Sequence, residues 1–206
     1  MLSSRVMILV GLTGGVATGK STVAKLFERC GAHIIDADVL AHRAVEPDKP
    51  AWRAIVKAFG KPILNADRTL NRAALGRIVF RDTAKLRRLE RIIHPHVAGM
   101  QEQLTKTIKR RHPRAVIVYE VPLLFEAGVD RRVDRIVVVT ADRETQIARL
   151  KTRNGFTRAE ALRRSRSQMP IKQKAAAADY VLDGTAPRPR LLAQVRRLHH
   201  ELQVLA

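Results

Sequence analysis

Gly14-Gly15-Val16-Ala17-Thr18-Gly19-Lys20-Ser21 fits the pattern G-x-x-x-x-G-K-[ST], the signature of a phosphate-binding loop. An apolar run, Val6-Met7-Ile8-Leu9-Val10-Gly11-Leu12, precedes it, and a helical pattern, Thr22-Val23-Ala24-Lys25-Leu26-Phe27, follows. That order gives the motif its meaning. The strand delivers the chain to a tight turn whose backbone N–H groups converge on an anion, and the helix points its positive end at the same place. Gly14 and Gly19 allow a backbone approach that a Cβ would obstruct. Lys20 can reach the β- and γ-phosphates, and the Ser21 hydroxyl can ligate Mg²⁺. The loop reads as a site for a nucleoside triphosphate.

Outward from the loop, short apolar β-branched runs alternate with longer helical stretches, which predicts a parallel α/β sheet. The candidate strands are 6–12, 32–36, 115–121, 135–140 and 179–182. Several are almost continuously apolar, as strands covered on both faces must be. With the loop following the first strand, the site is expected at the carboxyl ends of the strands. Between the second and third strands the chain reads as wholly helical, with helices over 51–59, 71–80 and 83–93 and a long one from Pro95 towards Arg111. That exceeds a single crossover helix, so it predicts a helical insertion covering the acceptor substrate. A second helical, Arg-rich stretch over 143–174 sits where P-loop kinases carry a mobile lid. The last helix, 187–205, places Leu191, Leu192, Val195, Leu198, Leu202 and Leu205 at helical spacing, which predicts one face on the core. The expected division is a single kinase chain over 1–206, with core segments 5–38, 114–142 and 177–206, insertion 39–113 and lid region 143–176.

The chain has 206 residues, 46% of them hydrophobic, enough for a sizeable core. No apolar stretch approaches the roughly 20 residues that span a bilayer, so no membrane partner is expected. Arg5 ahead of an apolar run superficially resembles a signal peptide, yet cleavage there would remove the strand that the loop requires. Met1 and Met7 both remain possible starts. The single Cys30 excludes an internal disulfide framework and fits a reducing, cytoplasmic location. Net charge is +20, which invites polyanions. The cations are scattered over most helices, however, and 4% aromatic residues leave few platforms for stacking bases. No nucleic-acid partner is expected.

Asp36-Ala37-Asp38 closes the second strand. Carboxylates there would face the γ-phosphate, a place suited to a base that accepts a hydroxyl proton. On spacing alone Asp38 serves equally well as the N-cap of a helix over 39–45. Arg149 and Arg153 lie four apart, on one helix face, and an arginine fork suits phosphate oxygens or stacks on a base.

The set as a whole resembles the dephospho-CoA kinase family. The stretch from Gly11 to Thr22, G-L-T-G-G-V-A-T-G-K-S-T, is similar to that family's G-L-T-G-G-I-G-S-G-K-S-T. Asp36-Ala37-Asp38 matches its D-A-D, and the segment 71–80 looks like its R-x-x-L-G-x-x-V-F. Leu89-Glu90-Arg91-Ile92-Ile93-His94-Pro95 resembles L-E-x-I-x-H-P, and Pro122-Leu123-Leu124-Phe125-Glu126 matches P-L-L-F-E. Gln168-Met169, Lys172 and Ala178-Asp179-Tyr180-Val181 fall where the family has similar residues. The phosphate loop is common property, but the D-A-D, H-P and P-L-L-F-E set in this order is specific.

The resemblance implies a three-layer P-loop NTPase fold and transfer of the ATP γ-phosphoryl group to the ribose 3′-hydroxyl of dephospho-CoA, with Mg²⁺. It implies Asp38 as general base, with Lys20 neutralising charge. ATP would lie against Gly15, Val16, Ala17, Thr18, Gly19, Lys20, Ser21, Thr22 and Arg153, with Ser21 on the metal. Asp36, Arg72, His94, Pro122 and Leu123 would serve the acceptor. Alternatives remain. His94 can be a helix-end residue before a helix-starting proline, Pro122–Leu124 can be core, and Glu120 ends its strand in Walker-B fashion. Ala17 and Asp183 depart from the family's usual Gly and Asn. Another small-molecule or nucleoside monophosphate kinase would share the loop and lid but not His94-Pro95 or P-L-L-F-E. A nucleic-acid-binding P-loop NTPase would exploit the charge. Monomer and weak homo-oligomer are equally open.

Overall fold

The computed structural model describes residues 7–206; Val6 at the head of the expected first strand, and Arg5 before it, lie outside the described residues. In chain order the elements begin β1 (Ile8–Gly14), α1 (Lys20–Arg29), β2 (His33–Asp36), α2 (Ala37–Ala44), α3 (Pro50–Phe59), α4 (Arg72–Val79) and α5 (Thr83–Arg111). They continue with β3 (Val116–Glu120), β4 (Arg135–Thr140), α6 (Arg143–Asn154), α7 (Arg158–Arg166), α8 (Ile171–Ala176), β5 (Tyr180–Asp183) and α9 (Arg188–Leu205). Two compact units result: Ala37–Thr105 forms one, and the chain up to Asp36 with Lys106–Ala206 forms the other.

The sheet unit contains all five strands in the order β2-β3-β1-β4-β5, every neighbouring pair parallel. The parallel α/β fold read from the apolar runs is the fold observed. Alternation along β1 sends Ile8, Val10 and Leu12 into one cluster with Val23, Leu26 and Phe27 of α1 and Val195, Leu198 and Leu202 of α9. Burying each such side chain contributes about 1.5–3 kcal/mol. Leu9, Ile117 and Val138 are buried as well. The register aligns Leu12 with Glu120 and Asp36 with Glu120, so the carboxyl ends of β1, β2 and β3 are level.

The stretch 143–176, expected to form a lid, carries the helices α6, α7 and α8. Asp142 caps α6 through the Thr145 N–H, and Gly155 ends that helix in the left-handed region. Thr157 and Glu160 form a capping box on α7. Arg158 ties α7 back to α6 by a bidentate bond to Glu144, at 2.7 Å on both arms.

The helical unit has its own smaller core of Val45, Ala51, Ile55, Ile63, Leu75 and Val79. Two expectations fail in this part of the chain. The predicted break at His94-Pro95 is absent, because α5 runs unbroken for 29 residues with Pro95 inside it. The proline deprives the Arg91 carbonyl of its helical donor, at a cost of about 3 kcal/mol. Leu86, Leu89, Ile92 and Ile93 pack on the helical unit's core and hold the turns before Pro95 in place. Likewise α2 begins at Ala37 and not at residue 39, directly after β2. Asp38 therefore lies within the first helical turn, where its negative charge favours the helix dipole, and is not the N-cap.

Candidate active site

The turn between β1 and α1 is shaped by its own side chains. Gly19 caps α1 at φ 100°, a left-handed conformation natural only to glycine, and its carbonyl accepts the Thr22 and Val23 N–H groups. Thr18, fully buried, donates its hydroxyl to the Gly15 carbonyl at 3.0 Å. The Lys20 ammonium curls back over the turn and donates to the Gly15 carbonyl at 2.8 Å. Ala17 sits at φ 56°, which costs a residue with a Cβ about 1–2 kcal/mol. Its carbonyl is held by Arg149 Nη1 at 3.1 Å, while Nη2 of the same guanidinium donates to the Gly184 carbonyl at 2.8 Å. Gly184 has to be glycine, since any Cβ there would collide with the Thr18 carbonyl. The Val16 N–H donates to the Gln168 side-chain oxygen at 2.9 Å.

Two oxygen groups meet beside the loop. The Ser21 hydroxyl, at the start of α1, donates to Glu120 Oε1 at 2.9 Å, and Glu120 is 7% exposed at the end of β3. A hydroxyl paired with a carboxylate at a strand end is a hard-oxygen donor set, which fits Mg²⁺ with its remaining positions filled by phosphate and water. The Walker-B-like reading of Glu120 thereby gains a physical partner. Asp36 ends the neighbouring strand in register with Glu120. Asp38 follows on α2, and its backbone carbonyl lies 2.6 Å from His42 Nδ1.

The loop after β3 is fastened to the sheet. Thr13 Oγ1 donates to the Pro122 carbonyl at 3.2 Å. Leu124 is buried and lies where a side chain on Gly11 would otherwise go, so Leu124 is core. Leu123 next to it is 43% exposed, which separates two residues that their apolar character alone could not. Glu126 accepts the Met169 N–H at 2.8 Å and pairs with the Lys174 ammonium at 2.8 Å. Lys174 is fully buried and also donates to the Pro122 carbonyl at 3.2 Å. Burial pushes the Glu126 carboxyl up, but the Lys174 and Met169 hydrogen bonds outweigh it and hold the group below its ordinary value.

A cavity of about 390 Å³ opens beside the first turn of α1, with Gly19, Thr22, Leu26, Arg149, Gly184 and Ala186 among its walls. Asp183, at its edge in sequence, accepts the Thr185 hydroxyl at 2.6 Å and the Thr185 N–H at 2.9 Å. Those two bonds keep its carboxyl below the usual range and occupy it with the turn.

The sequence-predicted residues are not all brought together. Gly15 to Thr22 form the loop and the head of α1. Arg149 is on that loop, whereas Arg153, the expected nucleotide contact, is exposed at the end of α6 and donates to Asn154 at 3.1 Å. Arg72 opens α4 behind the Asn71 cap and is exposed. His94 is exposed in mid-α5, which removes the helix-end reading. Lys174 is not legible in sequence: a lysine at the head of the alanine run 175–178 carries no signal. Among the described residues no helix is long and apolar enough to cross a membrane.

A phosphate loop between the first strand and helix of a parallel sheet, with a carboxylate on its Ser, defines the P-loop NTPase class. Comparison with known proteins narrows the class. A profile of the family described as dephospho-CoA kinase matches residues 8–187. A dephospho-CoA kinase of Geobacter metallireducens is 50% identical over 195 residues, covering 95% of this chain and 96% of that protein. A solved structure of a Thermus thermophilus protein, TT1252, shares 34% identity at a TM-score of 0.81, over 98% of this chain and 100% of that one. A dephospho-CoA kinase from Campylobacter jejuni shares the fold, at TM-score 0.71 and 24% identity over 96% and 98% of the two chains. The chain belongs to the dephospho-CoA kinase family.

Proposed function

We propose that this chain transfers the γ-phosphoryl group of ATP in line to the ribose 3′-hydroxyl of dephospho-CoA, giving coenzyme A and ADP. The observation that carries the reading is the Ser21–Glu120 pair set beside a formed phosphate loop, in a chain of this family. The loop N–H groups and Lys20 take the phosphate charge. Ser21 and Glu120 hold Mg²⁺, which when bound supplies further positive charge on the phosphates. Asp38 accepts the proton of the ribose hydroxyl, and Asp36 orients the site. Pro122, exposed Leu123, Arg72 and His94 serve the acceptor.

The nucleoside of ATP fits the cavity beside Gly19 and Thr22, whose Leu26 and Ala186 walls suit a flat base. Arg149 is the better placed of the two lid arginines for the donor, and Arg153 is left for contacts made on closure. Lid closure excludes water, which would otherwise hydrolyse ATP. The +20 charge has a use in this scheme, because donor and acceptor are both polyanions.

The test is a panel of hydroxyl acceptors incubated with Mg·ATP, dephospho-CoA among them, with product formation measured. Turnover of dephospho-CoA well above every other acceptor supports the proposal. No turnover of dephospho-CoA by the folded chain sinks it.

A further inference from the structure

Residues 168–174, between α7 and the end of α8, are bonded at both ends to parts of the site that lie far apart in sequence. At one end the Gln168 side-chain oxygen accepts the N–H of Val16, inside the phosphate loop, at 2.9 Å. At the other, Lys174 is fully buried with its ammonium on Glu126 Oε1 at 2.8 Å and on the Pro122 carbonyl at 3.2 Å. Between them the Met169 N–H donates to the same Glu126 carboxylate at 2.8 Å. Thr13, the residue before the phosphate loop, shares the Pro122 carbonyl with Lys174.

Burying an ammonium completely is expensive, and it is tolerated only where the partner geometry is good. The proposed chemistry makes no use of Lys174. What the pair does is fix the start and end of the Pro122–Glu126 loop to one short strap. Gln168 then ties that strap to a backbone N–H among those that converge on the donor phosphates. A chain of packed, hydrogen-bonded groups with few loose joints is the kind of element through which two sites exchange free energy.

We infer that Gln168 is a positioning residue, and that the 168–174 strap couples the Pro122–Glu126 loop to the phosphate loop. A shift of the acceptor-side loop is passed through Glu126, Met169 and Lys174 to Gln168, and so to the Val16 N–H. Nucleotide affinity then depends on an ion pair, Lys174 buried and Glu126 at the surface, that touches no nucleotide. The inference rests on the proposed reading of the phosphate loop as the ATP site.

The experiment is a double-mutant cycle on the affinity of a non-hydrolysable ATP analogue with Mg²⁺, titrated without acceptor. Its members are the wild-type chain, Gln168→Ala, Lys174→Met and the two together, each also followed by thermal melting. Each single replacement is expected to weaken binding about fivefold or more, the lower end of measured site-to-site coupling. The double variant is expected to be no weaker than the worse single, because both cut the same link. If Lys174→Met does not fold, the pair Glu126→Leu with Lys174→Met replaces it, since no buried charge is then left uncompensated. Coupling is overturned if the Lys174 variant melts lower yet binds the analogue as the wild type does. Effects that multiply in the double variant overturn it too. Failure of the wild-type chain to bind the analogue is a different outcome: it removes the nucleotide reading itself, and the strap's role with it.

Discussion

The sheet unit and the helical unit differ in what holds them. In the sheet unit, Val10, Leu12, Val23, Phe27, Val118, Val137 and Val139 form part of one cluster, none more than 0% exposed. In the helical unit Val45, Ala51, Ile55, Ile63, Leu75 and Val79 form one cluster, with Ile55 and Ile63 the largest fully buried, and Leu40, Ala44 and Trp52 are buried as well. Polar contacts follow the same division. The phosphate loop is held from Lys20, Thr18, Arg149 and Gln168 at once. The helical unit's exposed Asp48–Arg68 ion pair, at 2.6 Å, contributes about 0–1 kcal/mol. The difference suits two tasks. Under the proposed function, phosphate charge is stabilised by donors already in place, and a helical unit serving a large acceptor would gain from lower local stability.

The most damaging way to break this contrast is to empty the larger core. Phe27→Ala is expected to cost about 3–5 kcal/mol and to unfold the sheet unit's site along with it. Ile55→Ala, at about 2–4 kcal/mol, should instead raise hydrogen exchange mainly within Ala37–Thr105. Exchange mapped by mass spectrometry distinguishes the two patterns. Equal spread of the Ile55 effect into β1 and α1 would remove the contrast in local stability.

Smaller in free energy is the loss of the arginine that bridges Ala17 and Gly184. Arg149→Ala should weaken ATP-analogue binding about tenfold, the scale of one hydrogen bond from a charged donor. It should leave the melting temperature nearly unchanged, because the guanidinium is only partly buried. Calorimetric titration measures the first and a melting curve the second. Unchanged affinity would show that the loop holds Ala17 without help.

The smallest expected effect sharpens the picture of α9 as core. His199 is buried on that helix, with its Nε2 among the buried atoms that find no partner. Burial first, and the neighbouring His200 second, push its pKa below the ordinary 6.5. The unfolded chain therefore takes up a proton near that pH while the folded chain resists it. The contribution to stability is complete above about pH 6.5 and is lost as pH falls through the depressed folded value. Denaturant midpoints across this window should fall less steeply for His199→Phe than for the wild type. Parallel slopes would show that His199 titrates alike in both states.

What could be read beforehand follows the range of the interactions. The phosphate loop is local, eight consecutive residues with a fixed chemical logic, and it stands where the sequence put it. Parallel strands buried on both faces are continuous apolar runs, so β3 and β4 were found to within a residue or two. Pro95 defeats a local rule at a place where packing decides. A proline predicts the end of a helix that Leu89, Ile92 and Ile93 hold together, and of the two readings open for Asp38, base or N-cap, the start of α2 at Ala37 removes the cap. The contacts that Gln168, Arg149 and Lys174 make are illegible for a third reason, although the sequence offers Arg149 as a phosphate-suited arginine and Gln168 through the family resemblance. The Val16–Gln168 bond spans 152 positions and the Ala17–Arg149 bond 132, and neither leaves a pattern in sequence.

Under the proposed function the labour is divided: the loop holds ATP and Asp38 takes the hydroxyl proton. Asp38→Asn tests that division most directly, with turnover of dephospho-CoA and ATP-analogue affinity measured on the same preparation. The account predicts turnover lowered by roughly two or more orders of magnitude, the scale of general-base catalysis, with analogue affinity nearly intact. Near-normal turnover in that variant, or loss of ATP binding in step with turnover, would contradict it.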